Sequence, residues 1–92
     1  MTARLARRLG IVNRKGLHAR ASARFVAEVE KFDARARVRR DGMEVSGDSI
    51  MGLLMLAAAQ GSEIEVETEG AEAEALMEAL EALVAAKFGE DA

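Results

Sequence analysis

Between Arg4 and Phe88 the apolar residues change their spacing from one short segment to the next, and no segment is long enough to make a fold alone. Leu5, Leu9 and Ile11 share one parity with Arg8 on the other, the period of two expected of a half-buried strand, with Arg7 as an interruption. From Ala19 to Lys31 the period lengthens. Phe25, Val29 and Phe32 recur at four and three, with Ala19, Ala23 and Val26 on the same broad face, so an amphipathic helix is expected there. Arg35 to Arg40 alternates basic residues with Ala36 and Val38, Asp41-Gly42 is a two-residue hairpin signal, and Met43-Glu44-Val45 supplies the returning strand. Gly47-Asp48-Ser49 precedes a short apolar helix from Ile50 to Leu56, which Gly61 brings to an end. Ile64, Val66 and Thr68 then alternate with Glu63, Glu65, Glu67 and Glu69, a strand with one buried face and one solvated face. Ala73, Leu76, Met77, Leu80, Leu83 and Val84 repeat at three and four through a last helix that ends near Phe88 and Gly89.

The order is therefore β-α-β-β-α-β-α. It implies an α+β fold, an open-faced two-layer β-sandwich in which a four-stranded antiparallel sheet carries three helices on one face. The 92 residues contain no Pro- or Ser-rich linker, so residues 1–92 are expected to form one domain. Phe25, Val66, Leu80 and Leu83 are expected in its core, which is short of aromatic bulk because the chain has only 3 phenylalanines and no Tyr or Trp.

Charge and composition exclude several functions. The net charge of −3, the lack of Tyr and Trp and the lack of a Gly-x-x-Gly clamp leave nucleic-acid recognition without support. With no cysteine there is no disulfide, thiolate metal site or thiol redox chemistry, which is compatible with a cytoplasmic location. A lone histidine without a converging carboxylate set does not make a metal site, and nothing in the chain calls for a cofactor. The Arg-rich opening MTARLARRLG lacks an apolar core segment and is expected to be the first strand, not a targeting peptide. No apolar run approaches the ~18 residues of a membrane span, so no membrane insertion is expected. Basic residues crowd the stretch up to Arg40, whereas Lys87 is the only one in the acidic segment from Glu63 to Asp91.

The one histidine, His18, lies where the basic turn Asn13 to Gly16 meets the first residues of a helix. A helix start offers unpaired backbone N–H groups and a partial positive potential, and Arg14, Lys15, Arg20 and Arg24 stand close by in sequence. A phosphoryl group on the imidazole would find both amides and cations there. The same positive field is expected to keep the free ring neutral near pH 7, with a lone pair available for attack. Position alone leaves a second possibility open, an exposed histidine at a helix start with no chemistry.

Gly16-Leu17-His18-Ala19-Arg20 resembles the active-site signature of the HPr family of histidine-phosphorylated carriers. Asp48-Ser49-Ile50-Met51-Gly52-Leu53-Leu54-Met55-Leu56 is similar to the family's second signature, and Gly61-Ser62-Glu63-Ile64-Glu65-Val66 to the glycine and strand that follow it. The resemblance runs from about Leu9 to Phe88. It implies a carrier of the phosphoenolpyruvate-dependent phosphotransferase system, bearing a covalent phosphohistidine and not acting as a free-standing enzyme. His18 would be phosphorylated on Nδ1 by an upstream Enzyme I-type kinase, and the group would pass to a downstream Enzyme IIA-type acceptor. Arg20 matches the arginine that stabilises the phosphohistidine. The acidic last strand and Ala/Glu-rich final helix resemble the nitrogen-related branch, NPr, more than the sugar-transport form. One departure is Ala21, where the family usually has proline. A proline at the first turn fixes φ, so Ala21 gives up preorganisation while leaving the nucleophile in place.

Ser49 matches the family's regulatory serine, the target of a serine kinase/phosphorylase in some bacteria. A Ser or Asp before a short helix is also what N-capping requires, and either Asp48 or Ser49 would serve. Ile50, Met51 and Leu54 are too apolar and too closely spaced to all face inward. Beside His18 they would make an apolar patch ringed by Arg14, Lys15, Arg20 and Arg24, suited to docking acidic partners. The competing function is a regulatory docking module of the same fold without phosphoryl chemistry. Nothing in the sequence calls for an oligomer, and a monomer is expected.

Overall fold

The computed structural model describes residues 3–92, so Met1 and Thr2 of the expected first strand lie outside the described residues. Strand β1 covers Ala3–Gly10, helix α1 Ala19–Val29, β2 Arg35–Arg40, β3 Met43–Ser46, α2 Ile50–Met55, β4 Glu63–Gly70 and α3 Ala73–Ala85. The strands form one sheet in the order β1-β4-β2-β3, every pair antiparallel. The expected α+β order is the observed one, with the three helices layered on one face of the sheet.

Alternation along the strands decides which face is covered. Leu9, Ala36, Val38, Ile64, Val66 and Thr68 point into the core with Phe25, Leu53, Leu76, Met77 and Leu80 from the helices. Leu83 is half-buried against that cluster. Arg7, which breaks the alternation of β1, pairs across the sheet with Val66 and so lies on the helix side, where its guanidinium meets Glu81 of α3 at 2.6 Å. As β1 is an edge strand, this charge sits at the rim of the core. The face of α1 is rotated from the expected one. Ala21, Ser22, Phe25, Val26 and Val29 are buried, whereas Ala19 and Ala23 are exposed. Ser22 fits inside because its hydroxyl donates to Leu17 O at 3.2 Å.

The turn between β2 and β3 has Asp41 at φ 51 and Gly42 at φ 82, the two left-handed residues of a tight hairpin. Ser49 caps α2. Its Oγ accepts from Gly52 N–H at 3.0 Å, and Asp48 instead accepts from the Ser46 hydroxyl at 2.6 Å. Helix α3 stops at Ala85, earlier than the apolar repeat suggests, and Lys87, Phe88 and Gly89 all take positive φ. A left-handed phenylalanine is costly, and complete burial of the Phe88 side chain offsets that cost. No helix is long and apolar enough among the described residues to cross a membrane.

The strand glutamates face water, as their alternation suggests, but Glu65, Glu67 and Glu69 are ion-paired. Arg39 reaches Glu44 at 2.6 Å, Glu67 at 2.8 Å and Glu65 at 3.1 Å across three strands, and Arg4 meets Glu69 at 3.2 Å. The hydrogen bond from Arg39 holds the Glu67 carboxyl below its ordinary value of 4.5, against the partial burial that pushes it up. A carboxyl lowered on folding adds stability that is present above its unfolded value and is lost as pH falls through the folded one. Urea unfolding midpoints are therefore expected to be level above the ordinary value of 4.5 and to drop below it, with Glu67→Gln flattening that drop. A Glu67→Gln chain with an unchanged acid profile would remove Glu67 from the account.

Candidate functional site

The turn before α1 is made by two side-chain and backbone constraints. Asn13 is fully buried, and its Nδ2 donates to Gly16 O at 2.8 Å and to Glu90 Oε1 at 2.9 Å. Gly16 sits at φ +65 against the backbone of the α2–β4 connection, and the next amide, Leu17 N–H, donates to Ala58 O at 2.9 Å. Only a residue without Cβ fits. The turn thus delivers His18 as the N-cap residue of α1, in extended backbone and with its side chain unused for capping.

Helix geometry leaves the amides of Ala19, Arg20 and Ala21 without an intrahelical carbonyl, and none has another partner among the described residues. Ser22 N–H is the first to close a turn, onto His18 O at 2.8 Å. Ala21 is buried and keeps its N–H, so α1 opens with three free amides where a proline at this position would leave two.

His18, its side chain 27% exposed, opens onto a cavity of ≈ 330 Å³. Arg14, Lys15, Arg20 and Arg24 line it, together with the chain's final residues 89–92. The four expected cations are therefore gathered around one space, and none of them pairs with a carboxylate among the described residues. A shallower depression on another side of the ring holds Lys15, Leu17 and Leu54, which sets α2 beside His18. On that helix only Leu53 is buried. Ile50 is 41% exposed, Met51 68% and Met55 64%, with Leu54 between buried and exposed. Leu54 of the expected apolar patch thus borders the histidine, while Ile50 and Met51, and Met55 as well, are exposed on the same helix.

What the sequence reading misses is the tail. The left-handed turn at residues 87–89 swings the chain back over the start of α1 once the Phe88 ring is anchored in the core. Arg24 donates to Phe88 O, and Arg14 N–H to Ala92 O at 3.1 Å. Glu90 then lies with Oε1 on Asn13 and Oε2 on His18 Nε2, although 72 residues separate it from the histidine. The Asn13 hydrogen bond, helped by His18 and the Lys15 charge, holds the Glu90 carboxyl below its ordinary 4.5 despite partial burial. A negative group therefore faces the ring that sequence alone surrounds with positive ones. An asparagine just past a strand and an acidic residue just past the last helix were the only sequence signals, and neither specifies the other.

This combination, a histidine at a helix start inside a cationic cavity on an open-faced sandwich, agrees with what the chain is similar to. Residues 5–86 match the family model described as the phosphotransferase-system HPr component phosphorylation site. A phosphocarrier protein HPr of Neisseria meningitidis is 45% identical over 86 residues, covering 94% of this chain and 97% of that one. A phosphocarrier protein NPr of Shewanella violacea is 38% identical, covering 95% and 96%. The crystal structure of HPr-C-His from Thermoanaerobacter tengcongensis superposes with a TM-score of 0.90 at 36% identity, covering 96% of this chain and 99% of that one. The chain belongs to the HPr family.

Proposed function

We propose that this chain is a phosphocarrier of the phosphotransferase system, taking a phosphoryl group onto His18 Nδ1 from an Enzyme I-type kinase charged by phosphoenolpyruvate. It then passes the group to a histidine of an Enzyme IIA-type acceptor. The observation that carries this reading is the environment of His18: three amides at the amino end of α1 with no partner among the described residues, and four cations about one ≈ 330 Å³ cavity, none with a carboxylate partner among those residues. Oriented amides and cations stabilise the charge that a transferring phosphoryl group carries, without reorganising when it arrives.

In the transfer, the Nδ1 lone pair forms the new P–N bond as the donor's P–N bond breaks and its electron pair returns to the donor nitrogen. The reverse exchange with the acceptor needs no other reactant. Arg20, exposed at the cavity wall in the first turn of α1, is assigned to the phosphoryl oxygens. Arg14, Lys15 and Arg24 with Ile50, Met51 and Leu54 form the docking surface, an apolar centre with a basic rim that suits acidic partners. The chain works as a monomer in the cytoplasm in this reading.

Ser49 is assigned a regulatory role beside its cap. Its Oγ lone pair takes the Gly52 amide, while the half-buried hydroxyl retains its own proton for a serine kinase. A phosphate there would put negative charge next to Ile50 and Met51, and so next to the docking surface.

Incubation with phosphoenolpyruvate and Enzyme I is expected to leave one acid-labile, alkali-stable phosphate per chain, with a 31P resonance of an Nδ1-phosphohistidine. Absence of that label with a kinase proven competent on another carrier would sink the reading.

A further inference from the structure

The geometry points to Glu90 as a positioning residue: held by Asn13, its carboxylate fixes the proton of the His18 imidazole on Nε2 and thereby leaves Nδ1 as the nucleophile. This deepens the phosphocarrier reading and rests on it.

Each group in this contact has a fixed set of hydrogens to donate. Asn13 presents its Nδ2 to Glu90 Oε1, with the second Nδ2 hydrogen on Gly16 O, so it acts on Glu90 only as a donor. Glu90 as a carboxylate accepts and does not donate. The ring nitrogen that faces Oε2 must then carry the hydrogen, and this nitrogen is Nε2. In a neutral imidazole the other nitrogen, Nδ1, is bare, and it has no hydrogen-bond partner among the described residues. The direction of each bond in the Asn13–Glu90–His18 chain follows from the buried amide at its start.

The same contact supports the transfer step. Attack by Nδ1 while Nε2 keeps its proton leaves the phosphorylated ring formally cationic, and the Glu90 carboxylate lies against the atom that shares this charge. This is the part a carboxylate plays beside the histidine of a Ser-His-Asp triad, where it sets the tautomer and stabilises the imidazolium. Here the side chains remain partly in water, 27% exposed for His18 and 14% for Glu90, so the effect should be smaller than in a buried triad.

Glu90→Gln separates this role from simple packing. Asn13 offers only N–H at the contact, so the glutamine carbonyl stays with Asn13 and its NH2 turns to His18. The ring would have to accept at Nε2 and carry its proton on Nδ1. Imidazole 15N shifts of the unphosphorylated chain are therefore expected to switch to the Nδ1–H pattern in Glu90→Gln and to move toward those of an unrestrained imidazole in Glu90→Ala. The rate of labelling by Enzyme I is expected to fall about 100-fold in Glu90→Gln and about tenfold in Glu90→Ala, a lesser loss than the roughly 10⁴ of a buried triad carboxylate turned to amide. Adding Asn13→Ala to Glu90→Gln frees the amide to rotate and should return the rate to that of Glu90→Ala. Wild-type 15N shifts in both variants, or a Glu90→Gln rate equal to that of Glu90→Ala, would overturn the proposal. The 15N measurement needs no phosphorylation, so failure of wild type to take label would remove the phosphocarrier reading while the tautomer result stood by itself.

Discussion

His18→Ala is expected to take up no acid-labile phosphate from phosphoenolpyruvate and Enzyme I, yet to unfold within about 1.5 kcal/mol of the parent chain, the size of the hydrogen bond it loses to Glu90. The loss is complete because the chain has no second histidine to receive the group. Stability survives because the imidazole neither caps α1 nor enters the core. The cap position keeps its backbone geometry, Ser22 N–H still closes onto the carbonyl of residue 18, and Glu90 keeps its bond from Asn13. Circular dichroism melts beside the labelling assay separate the two effects. Labelling of the wild type and of this variant together separates a carrier from the docking-module alternative. A docking module would bind its partners through Ile50, Met51 and Leu54 and would show no label on the wild type either. A carrier loses transfer in His18→Ala while its exposed α2 patch and basic rim, and so its affinity for Enzyme I, remain. A His18→Ala chain that still took label would move the phosphorylated residue elsewhere and end the assignment.

How far the sequence leads depends on whether the deciding contacts are local. The seven elements are legible because each has its own period, and the Asp41-Gly42 turn because left-handed pairs of that type have few substitutes. The cap at Ser49 narrows to two adjacent residues from sequence, and geometry chooses between them. Arg7 reads as an interruption until Glu81, 74 residues on, is seen to meet it at the rim of the sheet. The face of α1 is misjudged by a fraction of a turn, because alanines carry little apolar signal and Ser22 is buried by a hydrogen bond to Leu17 O. A period of 3.6 does not encode that bond.

The site divides in the same way. His18, Arg20 and the basic turn are contiguous, so one segment brings them together, and α2 joins them by packing beside it. Glu90 is different. Its approach depends on Phe88 holding a left-handed conformation that its residue type disfavours, and on a buried asparagine whose partner lies 77 residues away. Tertiary closure outweighs local preference at both points, which is why the sequence shows there only a helix ending near Phe88 and Gly89.

Gly16→Ala is expected to be the most damaging of the simple glycine substitutions, by about 3 kcal/mol, or a Tm drop on the order of 15 °C in a chain of this size. Two costs combine. An alanine held at φ +65 has a left-handed penalty of about 1–2 kcal/mol. The added Cβ would stand 2.9 Å from Ala59 Cα and closer still to Ala58 O, both backbone atoms that no rotamer change can move aside. Gly42 isolates the first cost, and Gly10 gives the baseline without either. Gly42 has φ +82 with nothing within 4 Å of a new Cβ, so Gly42→Ala carries the left-handed penalty alone, about 1–2 kcal/mol. Gly10 has neither a positive φ nor a close neighbour, and Gly10→Ala should fall within about 0.5 kcal/mol of the parent. Equal melting points for Gly16→Ala and Gly42→Ala would mean that the α2–β4 connection yields freely. If it does not yield, the turn must, and then the Leu17–Ala58 and Asn13–Gly16 hydrogen bonds shift together. His18 stands one residue beyond Leu17 and two beyond Gly16, so the destabilised chain should also accept phosphate more slowly than its folded fraction predicts.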